Sequence, residues 1–313
     1  MTVLEKFLNG DLSALARIIS YIENREENYE KLLAKLYPKS GHTVKIGFTG
    51  PPGAGKSTIV NEISKMLSAE ENKVGIIAVD PTSPFTGGAL LGDRIRMHDL
   101  PSDGSVYIRS MATRGSTGGL AGATNNVTIA LDAFGFDFVL IETVGVGQVE
   151  LDIINTCDAV VVVLVPESGD AIQALKAGLM EIADIFAVNK ADRPLSESIV
   201  AELNNVLDNK REKSGWKLPV LPTEAVNNKN IDTLLDELKN FIQFSKETGL
   251  FEKHRRAQIK KKIFNIINYK LANIMETKIG GVENLDSLVN DIYAGKTDPF
   301  TASRKLLKLS DLD

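Results

Sequence analysis

The chain has 313 residues, 43% of them hydrophobic and 25% charged, which fits a globular fold of one large domain with additions, or of two domains. A formal net charge of −5 argues against a broad nucleic-acid footprint, and one cysteine excludes an internal disulfide framework or a cysteine-built metal cage. No signal-like core opens the chain and no apolar run reaches the roughly 18 residues of a membrane span, so a cytoplasmic protein with no nucleic-acid and no membrane partner is expected.

Residues 1–41 read as a helical extension. Asp11 is a good N-cap for a helix carrying Leu12, Leu15, Ile18, Ile19 and Ile22 at helical spacing, and a second amphipathic piece stops before Pro38. Residues 42–246 alternate strand and helix. Expected strands are Val44–Thr49, Val74–Val79, Val106–Ser110, Phe138–Ile141, Ala159–Val165, Ile185–Val188 and Val220–Leu221, mostly β-branched runs suited to burial on both faces. Expected helices between them are Thr58–Ala69, Ala123–Phe134, Ala171–Ile182, Ser196–Asn209 and Ile231–Phe244. This pattern predicts an α/β fold, a mainly parallel doubly wound sheet with ligands at the carboxyl ends of its strands.

Residues 247–313 lose the strand signal and read as a helical arm: Thr248–Met275, Val282–Ala294 and Pro299–Leu307. The long helix carries Lys253, Arg255, Arg256, Lys260, Lys261 and Lys262, either a solvated face or a contact surface for an acidic partner or a second subunit. Its apolar residues, Ile263, Phe264 and Ile267 among them, exceed what a lone solvated helix needs and call for cover by the main domain or a partner.

Five stretches carry chemistry. Gly50-Pro51-Pro52-Gly53-Ala54-Gly55-Lys56-Ser57-Thr58 lies between a strand and a helix and has the spacing of a triphosphate-binding loop. Its glycines let backbone N–H groups face phosphate oxygens, Lys56 would reach the β- and γ-phosphates, and the Ser57 hydroxyl would ligate Mg²⁺. Asp80 follows the second strand at the ligand edge, where an acid suits a hard cation; from position alone Asp93, further along the same loop, is either a ligand or a plain loop acid. Glu142 ends a strand in the Walker-B place; Gly145 follows it where a backbone N–H would sense the γ-phosphate, which would make Thr143–Glu150 a switch, and Gly147-Gln148 adds mobility there. Asn189-Lys190-Ala191-Asp192 follows another strand and points to guanine, since a carboxylate accepts both N1–H and the 2-amino group while the lysine stem covers the base. One strand later Glu224-Ala225-Val226 is placed to contact the guanine oxygen through its backbone. The asparagines after it tolerate left-handed geometry and can stand in for turn glycines.

Together with DPTSPFTGGALLGDRIRM at Asp80–Met97, TRGSTGGLA from Thr113, ETVGVGQ at Glu142–Gln148 and GDAIQALKAG from Gly169, these motifs resemble the MeaB/ArgK family of P-loop GTPases over most of the chain. The resemblance implies GTP/GDP and Mg²⁺ as cofactors, with Ser57, Asp80, Asp93 and Glu142 as the Mg²⁺ shell and Lys56, Asp80, Asp93 and Glu142 as the hydrolytic set. It implies a third switch at Asp170, Gln173 and Lys176, and a homodimer formed through the C-terminal helices. It further implies a chaperone that gates adenosylcobalamin delivery to, and protects, an acyl-CoA mutase such as methylmalonyl-CoA mutase. Glu224, Asn228 and Asn230 depart from the serine and glycines of relatives.

Two rival readings follow from the same motifs. A kinase or ATPase tied to lysine, arginine and ornithine transport would prefer ATP, which Asn189–Asp192 opposes. A nickel-enzyme maturation GTPase would need Cys/His clusters, against which stand one cysteine and three dispersed histidines.

Overall fold

A computed structural model describes residues 1–80, 104–112, 121–143, 155–166, 179–208, 215–278 and 282–309. By compactness the chain divides into Met1–Arg255 and Arg256–Asp313.

In the first unit three helices come first: α1 (Val3–Leu8), α2 (Leu12–Glu23) and α3 (Tyr29–Leu36). The Asp11 carboxylate caps α2 by accepting the N–H groups of Ser13 and Ala14 at 2.8 and 3.0 Å, as its sequence position predicts. Leu15, Ile18, Ile19 and Ile22 are buried in one core with Val127, Ala130 and Leu131 of α5 (Ala121–Phe134), and Phe7 meets Phe134 edge-on at 5.1 Å. The extension is thus part of this unit's core.

Among the described residues the sheet has seven parallel strands: β1 (Val44–Thr49), β2 (Val74–Asp80), β3 (Val106–Ala112), β4 (Phe138–Glu142), β5 (Ala159–Leu164), β6 (Ile185–Asn189) and β7 (Val220–Thr223). Their order is β3-β2-β4-β1-β5-β6-β7. Strand β1 is central, so the loop after it opens where the strand order reverses, the crevice position for ligands in open α/β sheets. Two hydrophobic cores flank the sheet. One lies beneath the N-terminal helices and α5; the other joins α4 (Lys56–Ala69) to α8 (Ile231–Glu247). Among the described residues the remaining α-helices of this unit are α6 (Leu179–Ile182) and α7 (Ser196–Asp208).

Helix α4 begins two residues before the predicted Thr58, because Gly55 takes a left-handed φ of 88° and ends the loop abruptly. Of the helix expected over Ala171–Ile182, the described part is Leu179–Ile182. The lone Cys157 is fully buried, and burial pushes its thiol well above the usual range, so it stays protonated and inert.

Helix α9 (Leu250–Lys278) starts in the first unit and continues into the second, which also holds α10 (Val282–Tyr293) and α11 (Pro299–Leu309). Ile263, Phe264 and Ile267 are exposed on the long helix. Among the described residues no helix is long and apolar enough to cross a membrane.

Candidate functional site

A cleft of about 410 Å³ opens at the carboxyl edge of the sheet. It is lined by Gly53, Gly55, Lys56, Ser57 and Thr58 from the loop after β1, Glu142 from β4, Asn189 to Arg193 without Ala191 from the end of β6, and Glu224 to Asn227 after β7. Four segments that the sequence reading treats as separate motifs therefore meet in one cavity.

On the phosphate side the loop is fixed by close approach. At Gly50 φ is 137° and a Cβ would lie 2.0 Å from the Val163 carbonyl oxygen of β5, so a side chain there is excluded. At Gly55 a Cβ would lie 2.3 Å from Asn189 Nδ2. Lys56 is 5% exposed, and its ammonium donates to the carbonyls of Gly50 and Pro51 at 2.8 and 3.0 Å. Those carbonyls hold the cation over the loop, at the mouth of helix α4, where the helix dipole adds positive potential. The Ser57 hydroxyl donates to Glu142 Oε1 at 2.6 Å, with Glu142 6% exposed. A hydroxyl and a carboxylate within hydrogen-bond reach form an oxygen pair suited to a hard divalent cation.

Sequence register explains why Glu142 is there. Phe48 of β1 pairs with Glu142 of β4, and the N–H of Thr143 donates to the Phe48 carbonyl at 3.1 Å. The last residue of β4 thereby lies alongside the start of the glycine loop. Pairing of Ala78 with Glu142 brings β2 to the same level, so the backbone of Asp80 closes that strand at the cleft edge. Asp93, Gly145, Gln148, Asp170, Gln173 and Lys176 lie outside the described residues.

On the base side Asn189 is 3% exposed and turned inward. Its Nδ2 donates to the Ala54 carbonyl at 2.8 Å, and its Oδ1 accepts from the Ala225 N–H at 3.1 Å and from the Thr223 hydroxyl at 3.3 Å. One amide therefore ties the glycine loop to the loop after β7. Lys190 is left-handed, with φ 59°, and Asp192 beyond it is exposed in the cleft. A carboxylate and a lysine therefore line this side of the cleft. Asn228 and Asn230 are left-handed, with φ of 52° and 59°, as expected of asparagines in glycine positions. Arg193 also lines the cleft; the sequence reading passed over it, although it directly follows Asp192.

At the opposite edge, Arg255 at the root of α9 donates to both Asp158 oxygens at 2.8 Å and to the carbonyls of Gly41 and Thr43 at 2.7 and 2.6 Å. The Asp132 carboxylate accepts the N–H groups of Gly41, His42 and Thr43. Of the cations read as one charged face, Arg255 is thus an internal fastener.

Comparison with known proteins extends these observations. The family described as "Methylmalonyl Co-A mutase-associated GTPase MeaB" matches residues 15–279. A protein of Pyrococcus abyssi named as a GTPase is 46% identical over 98% of this chain and 95% of its own. The mitochondrial methylmalonic aciduria type A homolog of Mus musculus is 34% identical over 85% of this chain and 65% of its own. GTPase ArgK of Escherichia coli is 32% identical over 82% of this chain and 80% of its own. A solved structure described as a LAO/AO transport system kinase superimposes with a TM-score of 0.74 at 24% identity, over 98% of this chain and 95% of that one, a likeness of fold.

Proposed function

The chain belongs to the MeaB family of methylmalonyl-CoA mutase-associated GTPases, and on that premise we propose that it serves an adenosylcobalamin-dependent acyl-CoA mutase as a GTP-driven chaperone. It is a GTPase. In this reading hydrolysis times the delivery of the cofactor and protects the mutase. The observation that supports the mutase partner is the extent of the family match. Residues 15–279 take in most of the N-terminal extension and the long helix, beyond what nucleotide binding needs.

The residues of the cleft supply the steps. Backbone N–H groups of Gly53–Gly55 and the start of α4 would hold the phosphates, with Lys56 leaving the Gly50 and Pro51 carbonyls for a γ-phosphate oxygen. Ser57 and Glu142 fit Mg²⁺ by their chemistry and proximity, and Asp80 and Asp93 complete the proposed shell. Bound there, the ion would neutralise charge that develops on the phosphates. Asn189 would hold the two loops in register while Asp192 reads guanine and Lys190 covers it. Gly145 and Gln148, with Asp170, Gln173 and Lys176, are the proposed switches that carry nucleotide state to the partner. The proposed division of labour is an extension at 1–41, a GTPase domain at 42–246 and a dimerisation region at 247–313. Exposed Ile263, Phe264 and Ile267 support the last assignment.

The test is recovery of the partner with tagged protein, followed by GTP turnover with and without the recovered mutase. Turnover is expected to rise by tenfold or more, the scale on which partner-supplied groups complete GTPase sites. Turnover unchanged at saturating mutase removes the coupling.

A further inference from the structure

The loop after β7 carries an acid in an awkward place. Glu224 and Asp192 line the same cleft, so the site carries two carboxylates. The structure holds Glu224 in check from behind. Glu224 and Lys229 form an isolated antiparallel bridge, each donating its N–H to the other's carbonyl at 3.1 Å. The Lys229 ammonium then reaches across that bridge to Glu224 Oε1 at 2.6 Å, while Asn227 Nδ2 donates to Oε2 at 3.3 Å. Left-handed Asn228 and Asn230 make the return possible, and Asn230 Nδ2 ties it to the Pro222 carbonyl at 2.8 Å. The Glu224 side chain is 13% exposed and that of Lys229 63%.

We propose that Lys229 is a positioning residue for base recognition, which acts through Glu224 to keep Ala225 and Val226 against the guanine oxygen. This deepens, and rests on, the reading of the cleft as a guanine-nucleotide site. Lys229 itself is not among the residues lining the cleft, so its influence passes through the ion pair and the bridge. Electrostatics agrees with the geometry. Hydrogen bonds from Lys229 and then Asn227 hold the Glu224 carboxyl below its usual range, and Glu224, with Asp192 in the same sense, holds the Lys229 ammonium above its own. Without it Glu224 keeps only the Asn227 amide as a side-chain donor, and the bridge loses the ion pair that spans it.

The prediction separates position from mere folding. Affinities for GTP, inosine triphosphate and 2-aminopurine riboside triphosphate are measured for the whole chain and for Lys229→Met, with turnover at saturating nucleotide and the melting midpoint recorded alongside. GTP and inosine triphosphate keep the 6-oxygen that the loop contacts, whereas the 2-aminopurine nucleotide lacks it. Lys229→Met should bind the first two about tenfold more weakly, the worth of one charge-assisted contact, with little change for the third and none in saturated turnover. Lys229→Arg and the double variant Glu224→Gln/Lys229→Met should recover most of the loss, because one restores the cation and the other removes the anion. Equal weakening for all three nucleotides, unchanged GTP affinity, or no recovery in the double variant overturns the proposal. If Lys229→Met does not fold, Lys229→Gln, which removes the charge and keeps a polar end, carries the same comparison. An unmodified chain that fails to prefer GTP over ATP would instead overturn the base-site reading itself.

Discussion

At the carboxyl edge of the sheet Lys56 rests on the carbonyls of Gly50 and Pro51, and Ser57 on the Glu142 carboxylate; at the amino edge Arg255 is bonded to Asp158 and to the carbonyls of Gly41 and Thr43. Both edges bury charge beside backbone oxygens. The partners differ in kind. The two carbonyls that Lys56 meets belong to one short loop, so a phosphate can take their place without disturbing any strand. The partners of Arg255 come from segments 97 and more than 200 residues away, and nothing from solvent can replace them together. One edge is made for exchange of partners and the other for permanent fastening.

The sharpest way to test that contrast is to remove each cation. Arg255→Ala leaves Asp158, with a side chain 1% exposed, without its cation, and stability should fall by about 3–5 kcal/mol in chemical denaturation, with GTP affinity of the folded fraction unchanged. Lys56→Ala should do the reverse. Turnover is expected to fall on the order of 100- to 1000-fold, as when one stabilising group is removed from a charged transition state, with stability moving by no more than about 1 kcal/mol. If Lys56→Ala destabilises as much as Arg255→Ala does, the contrast between the edges is broken.

A smaller effect sharpens the picture of the amino edge, where one carboxylate is less well matched. Asp184 accepts the Val160 N–H at 2.8 Å, yet burial raises its pKa to about 7. A raised folded-state pKa means that the protonated form favours the fold. That contribution is complete below the ordinary aspartate range and is gone once pH passes about 7. Relative to Asp184→Asn, the parent chain should therefore lose stability between about pH 4 and pH 7, by about 1 kcal/mol because Asp184 is partly exposed. A difference that stays flat across this window would show that the carboxylate ionises freely.

The contrast between the edges also explains what could be read from sequence. Gly50–Thr58, Glu142 and Asn189–Asp192 are short, fixed spacings at strand ends, and strand alternation alone is enough to bring them to one edge. The Asp11 cap and the left-handed asparagines were legible for the same reason, since each acts within a few residues. Arg255 was not, because its partners lie far along the chain and six cations in one helix look alike. Lys229 was missed too: its meaning depends on a turn that folds it back onto Glu224. The early start of α4 at Lys56 turns on one glycine φ, which composition does not encode.

Asn189 connects Ala54, 135 residues earlier, to Ala225, 36 residues later, through a single planar amide. Its length sets the gap between the loop that takes phosphates and the loop that takes the base. The cleft is in this sense a calliper with a rigid crossbar, which gauges the span of a nucleotide as well as its chemistry. A nucleoside triphosphate with the right base but a longer or shorter sugar linker would satisfy one jaw and miss the other.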